Sequence, residues 1–163
     1  MRAIFVDLER CVGCRSCELY CAVEHSSSKS LFSAISEHPC PVGRIKVEST
    51  GSAPFPIQCR HCEEAPCIDT CPTGAMCRDS LSGLVQFEED RCIGCLMCAV
   101  VCPFGALASQ KESRIIQKCD LCPDQEMPVC VSSCPTGALL FDDLNEIMKQ
   151  KRKRVLDLKI LAV

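Results

Sequence analysis

Eighteen of the 163 residues of this chain are cysteines. Sixteen of these fall into four groups of four. In every group the first gap is two residues and the last gap is three residues. The groups are Cys11-x2-Cys14-x2-Cys17-x3-Cys21, Cys59-x2-Cys62-x4-Cys67-x3-Cys71, Cys92-x2-Cys95-x2-Cys98-x3-Cys102 and Cys119-x2-Cys122-x7-Cys130-x3-Cys134. A chain so rich in thiols folds around disulfide bonds or around metal.

The four groups are copies of one unit. In groups two, three and four, proline and then x-Gly-Ala follow the last cysteine, which is the signature of an internal repeat. Groups one and three match the ferredoxin run C-x2-C-x2-C-x3-C, in which three cysteines wrap one iron–sulfur cube and the fourth ligates the neighbouring cube. Four [4Fe–4S] clusters are therefore the predicted cofactors.

Two other cysteine frameworks are weighed against this prediction. Four tetrathiolate zinc sites are the main alternative, since C-x2-C knuckles are common zinc ligands. Zinc modules, however, bring two knuckles from separate hairpins and do not need three cysteines within seven residues. Disulfides are the weakest alternative, because cysteines spaced this closely seldom pair without strain.

The apolar pattern and the net charge limit the cellular location and the classes of partner that we expect. The N-terminus shows no basic stretch followed by an apolar one, so we expect a cytoplasmic protein. No apolar run reaches the ~18 residues of a membrane span. The net charge is −3, and four oxidised cubanes with their thiolates bring the holoprotein to roughly −11. Such a charge argues against nucleic acid and favours basic redox proteins as partners.

The predicted fold class is α+β, with two ferredoxin-like units of two clusters each, short antiparallel hairpins, short helices and a C-terminal helix. One unit is expected at 1–25 with 111–142 and the other at 57–110. A connecting excursion outside the cluster core is expected at 26–56, and a helix with a tail at 143–163. Predicted elements are strands at 3–8, 44–48 and 84–87, a helix at 16–23, and strands at 114–117 and 139–141 that pair with each other.

Several residues outside the quartets are candidates for structural or electrostatic roles. His61 lies between two ligands and is expected to be structural or exposed to solvent. Cys40 and Cys77 are expected to be spare thiols. Arg60, Arg91 and Lys118 adjoin ligands and are candidates for raising cluster potentials, although an exposed surface charge is the simpler interpretation. The basic run 149–154 is expected to be a solvated helix end, with docking to an acidic partner as the alternative.

The four quartets, from Cys11 to Ala138, resemble the four-cluster electron-transfer subunits of the dimethyl-sulfoxide-reductase and formate-dehydrogenase type. Three stretches resemble more narrowly the ferredoxin-like subunit that accompanies nickel–iron carbon monoxide dehydrogenase. They are Cys21 to Ser26 with Lys29 to Phe32, Gln58 to Glu63, and Lys118 to Asp124.

The resemblance implies a set of ligands for each of the four clusters. The sets are Cys11, Cys14 and Cys17 with Cys134; Cys119, Cys122 and Cys130 with Cys21; Cys59, Cys62 and Cys67 with Cys102; and Cys92, Cys95 and Cys98 with Cys71.

It also implies a function without catalysis in this chain. With every iron ligated by protein, the clusters would carry single electrons from a dehydrogenase, foremost carbon monoxide dehydrogenase, to a hydrogenase or an NAD(P) oxidoreductase. The iron–sulfur subunit of a formate dehydrogenase or formate–hydrogen complex is the runner-up. A zinc-binding interaction module and a redox sensor are the alternatives from other classes.

Overall fold

The structure, a computed structural model, describes residues 2–49, 51, 53–109 and 114–160. The described elements are short, apart from one C-terminal helix. The strands are β1 Ala3–Val6, β2 Ile45–Ser49, β3 Pro54–Gln58, β4 Met76–Arg78, β5 Val85–Phe87, β6 Ala108–Ser109, β7 Ile116–Gln117 and β8 Leu139–Asp142. The helices are α1 Ser16–Glu24, α2 Leu31–Ala34, α3 Pro66–Asp69, α4 Met97–Val101, α5 Val129–Ser132 and α6 Leu144–Ile160, with a 3₁₀ turn at Glu89–Arg91.

The strands form antiparallel pairs and no larger sheet among the described residues. β1 pairs with β8, β2 with β3, β4 with β5, and β6 with β7. In the first pair Ala3 faces Asp142 and Val6 faces Leu139, which brings the N-terminal strand beside the segment that follows group four. The predicted α+β class, with short hairpins, short helices and a C-terminal helix, is confirmed.

The chain has two hydrophobic cores among its described residues, and each contains cysteines. The first buries Ile4, Ile45, Val47 and Leu139 together with Cys17, Cys21, Cys119 and Cys130. The second buries Met76, Cys98 and Ile116, with Cys67 and Cys71 packed against them. Helix α1 packs on α5 around the first core, and α3 packs on α4 around the second. The aromatic-poor chain thus builds its interior largely from aliphatic side chains and thiols.

Two sequence predictions about strands are corrected. The strands at 114–117 and 139–141 do not pair with each other, because β7 pairs with β6 and β8 pairs with β1. The segment 26–56 does not lie wholly outside the core, since Ile45 and Val47 of β2 are buried against cysteines. The division into two units with the stated boundaries stays a proposal, and the packing of Ile116 in the second core favours a crossing point after β7.

Helix α6 is held against the rest of the chain by a buried side chain and an ion pair, and an aspartate caps its N-terminus. The Asp143 carboxylate accepts hydrogen bonds from the backbone N–H of Asn145 at 2.8 Å and of Glu146 at 3.1 Å, which caps the helix. Ile147 is buried, and Arg154 forms an ion pair of 2.5 Å with Asp7. The basic run is therefore not the helix end that we expected, because the helix continues to residue 160.

No helix in the described part of the chain combines the length and the apolar character needed to cross a membrane.

Candidate iron–sulfur cluster sites

The third cysteine of every group occupies the same place in the local structure. Cys17, Cys67, Cys98 and Cys130 are each the second residue of a helix: α1, α3, α4 and α5 respectively. The fourth cysteine follows four residues later, inside the helix or just after it. The first two cysteines lie in the loop before the helix. Four groups with different loop lengths therefore build one common local arrangement of cysteines.

The loops before these helices contain residues with left-handed backbone. In group one Gly13 has φ 68° and Arg15 has φ 60°, and in group three Gly94 and Leu96 at the matching positions have φ 67° and 62°. Glycine adopts this conformation at little cost, whereas Arg15 and Leu96 do so against their preference. Such turns direct backbone N–H groups inward, and the Gly94 N–H lies 3.4 Å from the Cys92 Sγ.

The fourth cysteines also accept hydrogen bonds from backbone N–H groups. The Sγ of Cys21 accepts from Arg44 at 3.2 Å, that of Cys71 from Met76 at 3.4 Å, and that of Cys134 from Ala138 at 3.3 Å. Burial alone would raise the pKa of both Cys71 and Cys134, but hydrogen bonds lower it. The backbone of Met76 contributes most at Cys71, and at Cys134 the backbone of Leu139 contributes more than the Thr136 hydroxyl and Ala138. N–H groups aimed at sulfur stabilise a thiolate, which is the form that binds iron.

The first core brings together cysteines from groups one and four. A small cavity is lined by Cys11, Cys14 and Cys17 together with Cys134. Burial raises the pKa of the Cys17 thiol to about 11, and the nearby Cys134 and Cys14 contribute to the rise. Burial also raises the pKa of Cys130 strongly, with contributions from Cys119, Cys21 and Cys122.

The second half brings groups two and three together in the same manner. Cys71 lines a cavity with Cys92, Cys95 and Cys98. Burial raises the pKa of Cys67, and Cys59 and Cys102 contribute. Cys62 is half-buried, and its carbonyl accepts a hydrogen bond from Arg78 at 2.8 Å. These neighbours correspond to the sets that the resemblance implies, while their role as iron ligands remains a proposal.

The donor chemistry of these sets suits an iron–sulfur cube. All eighteen cysteines lie in the described part of the chain, and none forms a disulfide. A buried thiol whose pKa is raised cannot ionise at neutral pH unless a cation compensates its charge, and iron supplies that charge. Four soft thiolates around one cavity, with N–H groups directed at the sulfurs, fit a [4Fe–4S] cluster.

Arg44, His25 and Asp120 form a network beside Cys21 that the sequence analysis missed. Asp120 pairs with Arg44, and its Oδ1 accepts from the Cys122 N–H at 3.0 Å and lies 3.3 Å from His25 Nε2. Burial alone would lower the pKa of His25, but hydrogen bonds to Asp120 and Cys21 raise it to about 9. Arg44 and Asp120 are 76 residues apart in sequence, and no local spacing pattern connects residues so distant.

The other candidate residues have diverse surroundings. His61 is buried rather than exposed, and burial, aided by the charge of Lys118, lowers its pKa to about 4. Arg91 is exposed and pairs with Glu88, as the simpler interpretation expected. Cys40 is exposed, and the Cys77 Sγ lies 3.5 Å from Glu88 Oε1 instead of beside a quartet.

Comparison with known proteins agrees with this geometry. The 4Fe-4S dicluster domain family matches residues 52–144, and a 4Fe-4S binding domain matches residues 8–24. An iron-sulfur protein of Rhodospirillum rubrum is 42% identical over 158 residues, which cover 87% of this chain and 82% of the relative.

Two further relatives are named for electron transfer. The electron transport protein HydN of Escherichia coli K12 is 37% identical over 172 residues, covering 94% of this chain and 96% of the relative. The thiosulfate reductase electron transfer subunit PhsB of Salmonella typhi is 37% identical over 145 residues, covering 86% and 74%. The chain belongs to the 4Fe-4S dicluster family and is an iron–sulfur protein of electron transport.

Proposed function

We propose that the chain binds four [4Fe–4S] clusters through the four mixed sets of ligands given above. The observation that carries this proposal is that each of the two cavities lined by three cysteines of one group is completed by the last cysteine of another group, Cys134 in one case and Cys71 in the other. Sixteen cysteines in four sets leave Cys40 and Cys77 without a cluster. Anaerobically prepared protein should contain about sixteen iron and sixteen sulfide per chain. Zinc without sulfide would refute the proposal in favour of an interaction module.

We propose further that the chain transfers electrons and performs no catalysis of its own. When bound, each cluster accepts and releases one electron at a time. The protein supplies all four thiolates of every set, so no iron keeps an open position for a substrate. The chain's own contribution is to exclude water from the buried sulfurs, to direct N–H groups at them and to hold neighbouring clusters close together. A redox sensor would need an exposed, incompletely ligated cluster instead.

We propose a nickel–iron carbon monoxide dehydrogenase as the electron donor, and a hydrogenase or NAD(P) oxidoreductase in the cytoplasm as the acceptor. The three stretches that carry this narrower resemblance meet in the fold. His25 from the first contacts Asp120 from the third, and His61 from the second lines one cavity with Lys118 and Asp120. The stretches on which the narrower resemblance rests thus lie close to one another beside the proposed cluster sites, which supports the proposal that they tune the clusters for one donor.

Mixing experiments test the donor. The oxidised holoprotein is mixed anaerobically with carbon monoxide dehydrogenase, CO is added, and the visible absorption is followed. We expect bleaching within the turnover time of the dehydrogenase and none when either CO or the dehydrogenase is left out. Bleaching with formate and a formate dehydrogenase, but not with CO, would replace the proposal by the runner-up. Bleaching by dithionite alone verifies that the clusters are reducible in each sample.

A further inference from the structure

Lys118 lies where the chain crosses from one core to the other. Ile116, two residues earlier, is buried in the second core, whereas Cys119 is buried in the first. Lys118 itself is only 4% exposed, and its Nζ donates a hydrogen bond of 2.8 Å to the carbonyl of Cys119. It lines a cavity of about 490 Å³ together with His61, which stands between the cysteines of group two.

The positive charge of Lys118 has no carboxylate partner among the described residues. Its ammonium forms none of the ion pairs in that part of the chain. Burying an ammonium without a counter-charge is costly. Asp79, Glu89 and Asp120 line the same cavity, but none forms an ion pair with Lys118, and Asp120 is paired with Arg44. The thiolates of groups two and four are the other source of negative charge on this side of the chain. Their cubes would each carry a net charge of about −2 when oxidised and about −3 when reduced.

Lys118 lies beside both of these groups. It directly precedes Cys119 and donates a hydrogen bond to its carbonyl. It also lines one cavity with His61, which stands between Cys59 and Cys62. Cys119 and Cys59 belong to different proposed ligand sets. One buried cation therefore lies beside two separate sites.

The residue before the first cysteine differs systematically among the four groups. In groups one and three it is an arginine, Arg10 or Arg91, and both are exposed. In groups two and four it is Gln58 or Lys118, which are 1% and 4% exposed. Of these four matched positions, only Lys118 combines a charge with burial. The exposed arginines are screened by water and salt, whereas a buried charge is screened much less.

We propose that Lys118 is a shared counter-charge for two clusters and raises the reduction potentials of both. These are the cluster of Cys119, Cys122, Cys130 and Cys21 and the cluster of Cys59, Cys62, Cys67 and Cys102. An added electron makes a cube more negative, so a buried cation stabilises the reduced form more than the oxidised form. The inference rests on the proposed ligand sets.

Redox titration followed by electron paramagnetic resonance tests this role. In the variant Lys118→Gln we expect two of the four midpoint potentials to fall, each by about 59 mV, which is a tenfold change in the equilibrium for one electron. Lys118→Arg should restore both potentials, because it keeps the charge. Arg91→Gln, at the matched exposed position of group three, should leave all four potentials nearly unchanged.

The outcomes separate this inference from the proposed function. If Lys118→Gln keeps about sixteen iron per chain, the number of potentials that fall decides the inference. A fall in any number of potentials other than two, whether none, one or all four, refutes the shared counter-charge and leaves the ligand sets standing. If the parent protein lacks sixteen iron, the ligand sets themselves fail.

A second pair of variants applies if Lys118→Gln does not assemble its clusters. Gln117 is half-buried and lines the same cavity, so a new charge there is screened less than one on the surface and does not remove the buried Lys118. Gln117→Lys should raise the same two potentials, and Gln117→Glu should lower them. Equal potentials in both variants would refute the inference.

Discussion

The exchange of fourth ligands predicts which pairs of cysteine substitutions damage the same cluster. Under the proposed sets, Cys21 and Cys119 bind one cube although they are 98 residues apart in the printed sequence. Substituting both with alanine removes two of its four thiolates, so we expect the whole cube to be lost. Iron should then fall from about sixteen to about twelve per chain. The three other clusters keep all their ligands and should remain reducible.

The contrasting pair is Cys11→Ala with Cys21→Ala. These cysteines belong to one group but to two proposed clusters, so each of two cubes loses the ligand of a single iron. Iron should fall only to about fourteen, and the oxidised protein should show the paramagnetic signal of three-iron clusters. Iron analysis and electron paramagnetic resonance measure both quantities, and Cys40→Ala with Cys77→Ala is the control that should keep all sixteen irons. If each group instead bound its own cluster, the results of the two test pairs would be interchanged, and the exchange of ligands would be refuted.

Three further changes test the scaffold, each by anaerobic chemical unfolding unless stated. Ile147→Ala removes the buried anchor of α6 and should lower the free energy of unfolding by about 2 to 4 kcal/mol or release the helix from the core. If the helix is released, trypsin should cut the basic run faster than it does in the control Met148→Ala. Equal cleavage rates would contradict the docking of α6. Asp120→Asn keeps the acceptor for the Cys122 N–H but leaves Arg44 without its carboxylate, so we expect a loss of about 1 kcal/mol, and no loss would show that the network adds nothing. Gly94→Ala places a Cβ 3.1 Å from the Arg114 Cβ at φ 67°, which should destabilise by about 1 to 2 kcal/mol, and unchanged stability would refute the strain.

The sequence predicted the local elements better than their pairing. The strand at the N-terminus, the first helix and the strand at 84–87 were all expected, because apolar alternation and glycine turns are local signals. The predicted partner of β7 was wrong, because the sequences of such short strands offer no pattern that distinguishes β6 from β8. The burial of β2 was missed because the serine- and proline-rich composition around it is typical of an exposed linker.

The candidate site was likewise predictable in part: the cysteines were, and their surroundings were not. Cysteine spacing predicted four clusters, but the surroundings of the sulfurs depend on contacts between distant segments. Arg44 reaches Cys21 through its backbone N–H and Asp120 through its side chain, and only the folded chain brings these residues together. Lys118 was named as one of three charges beside ligands. The structure distinguishes it from Arg91 by burial, which sequence position alone does not reveal.

The spacing of the cysteines has a strict part and a loose part, and the fold explains the difference. The third and fourth cysteines are always separated by three residues, whereas the gap between the second and third is two, four or seven. The third cysteine is always the second residue of a helix, and the fourth lies inside that helix or just after it. Four residues of helix correspond to a rise of about 6 Å. Under the proposed sets these two cysteines bind different clusters, so the strict spacing fixes how far apart neighbouring cubes lie. The loose spacing falls in a loop that surrounds one cube only, and its length can vary without changing the distance over which an electron must move.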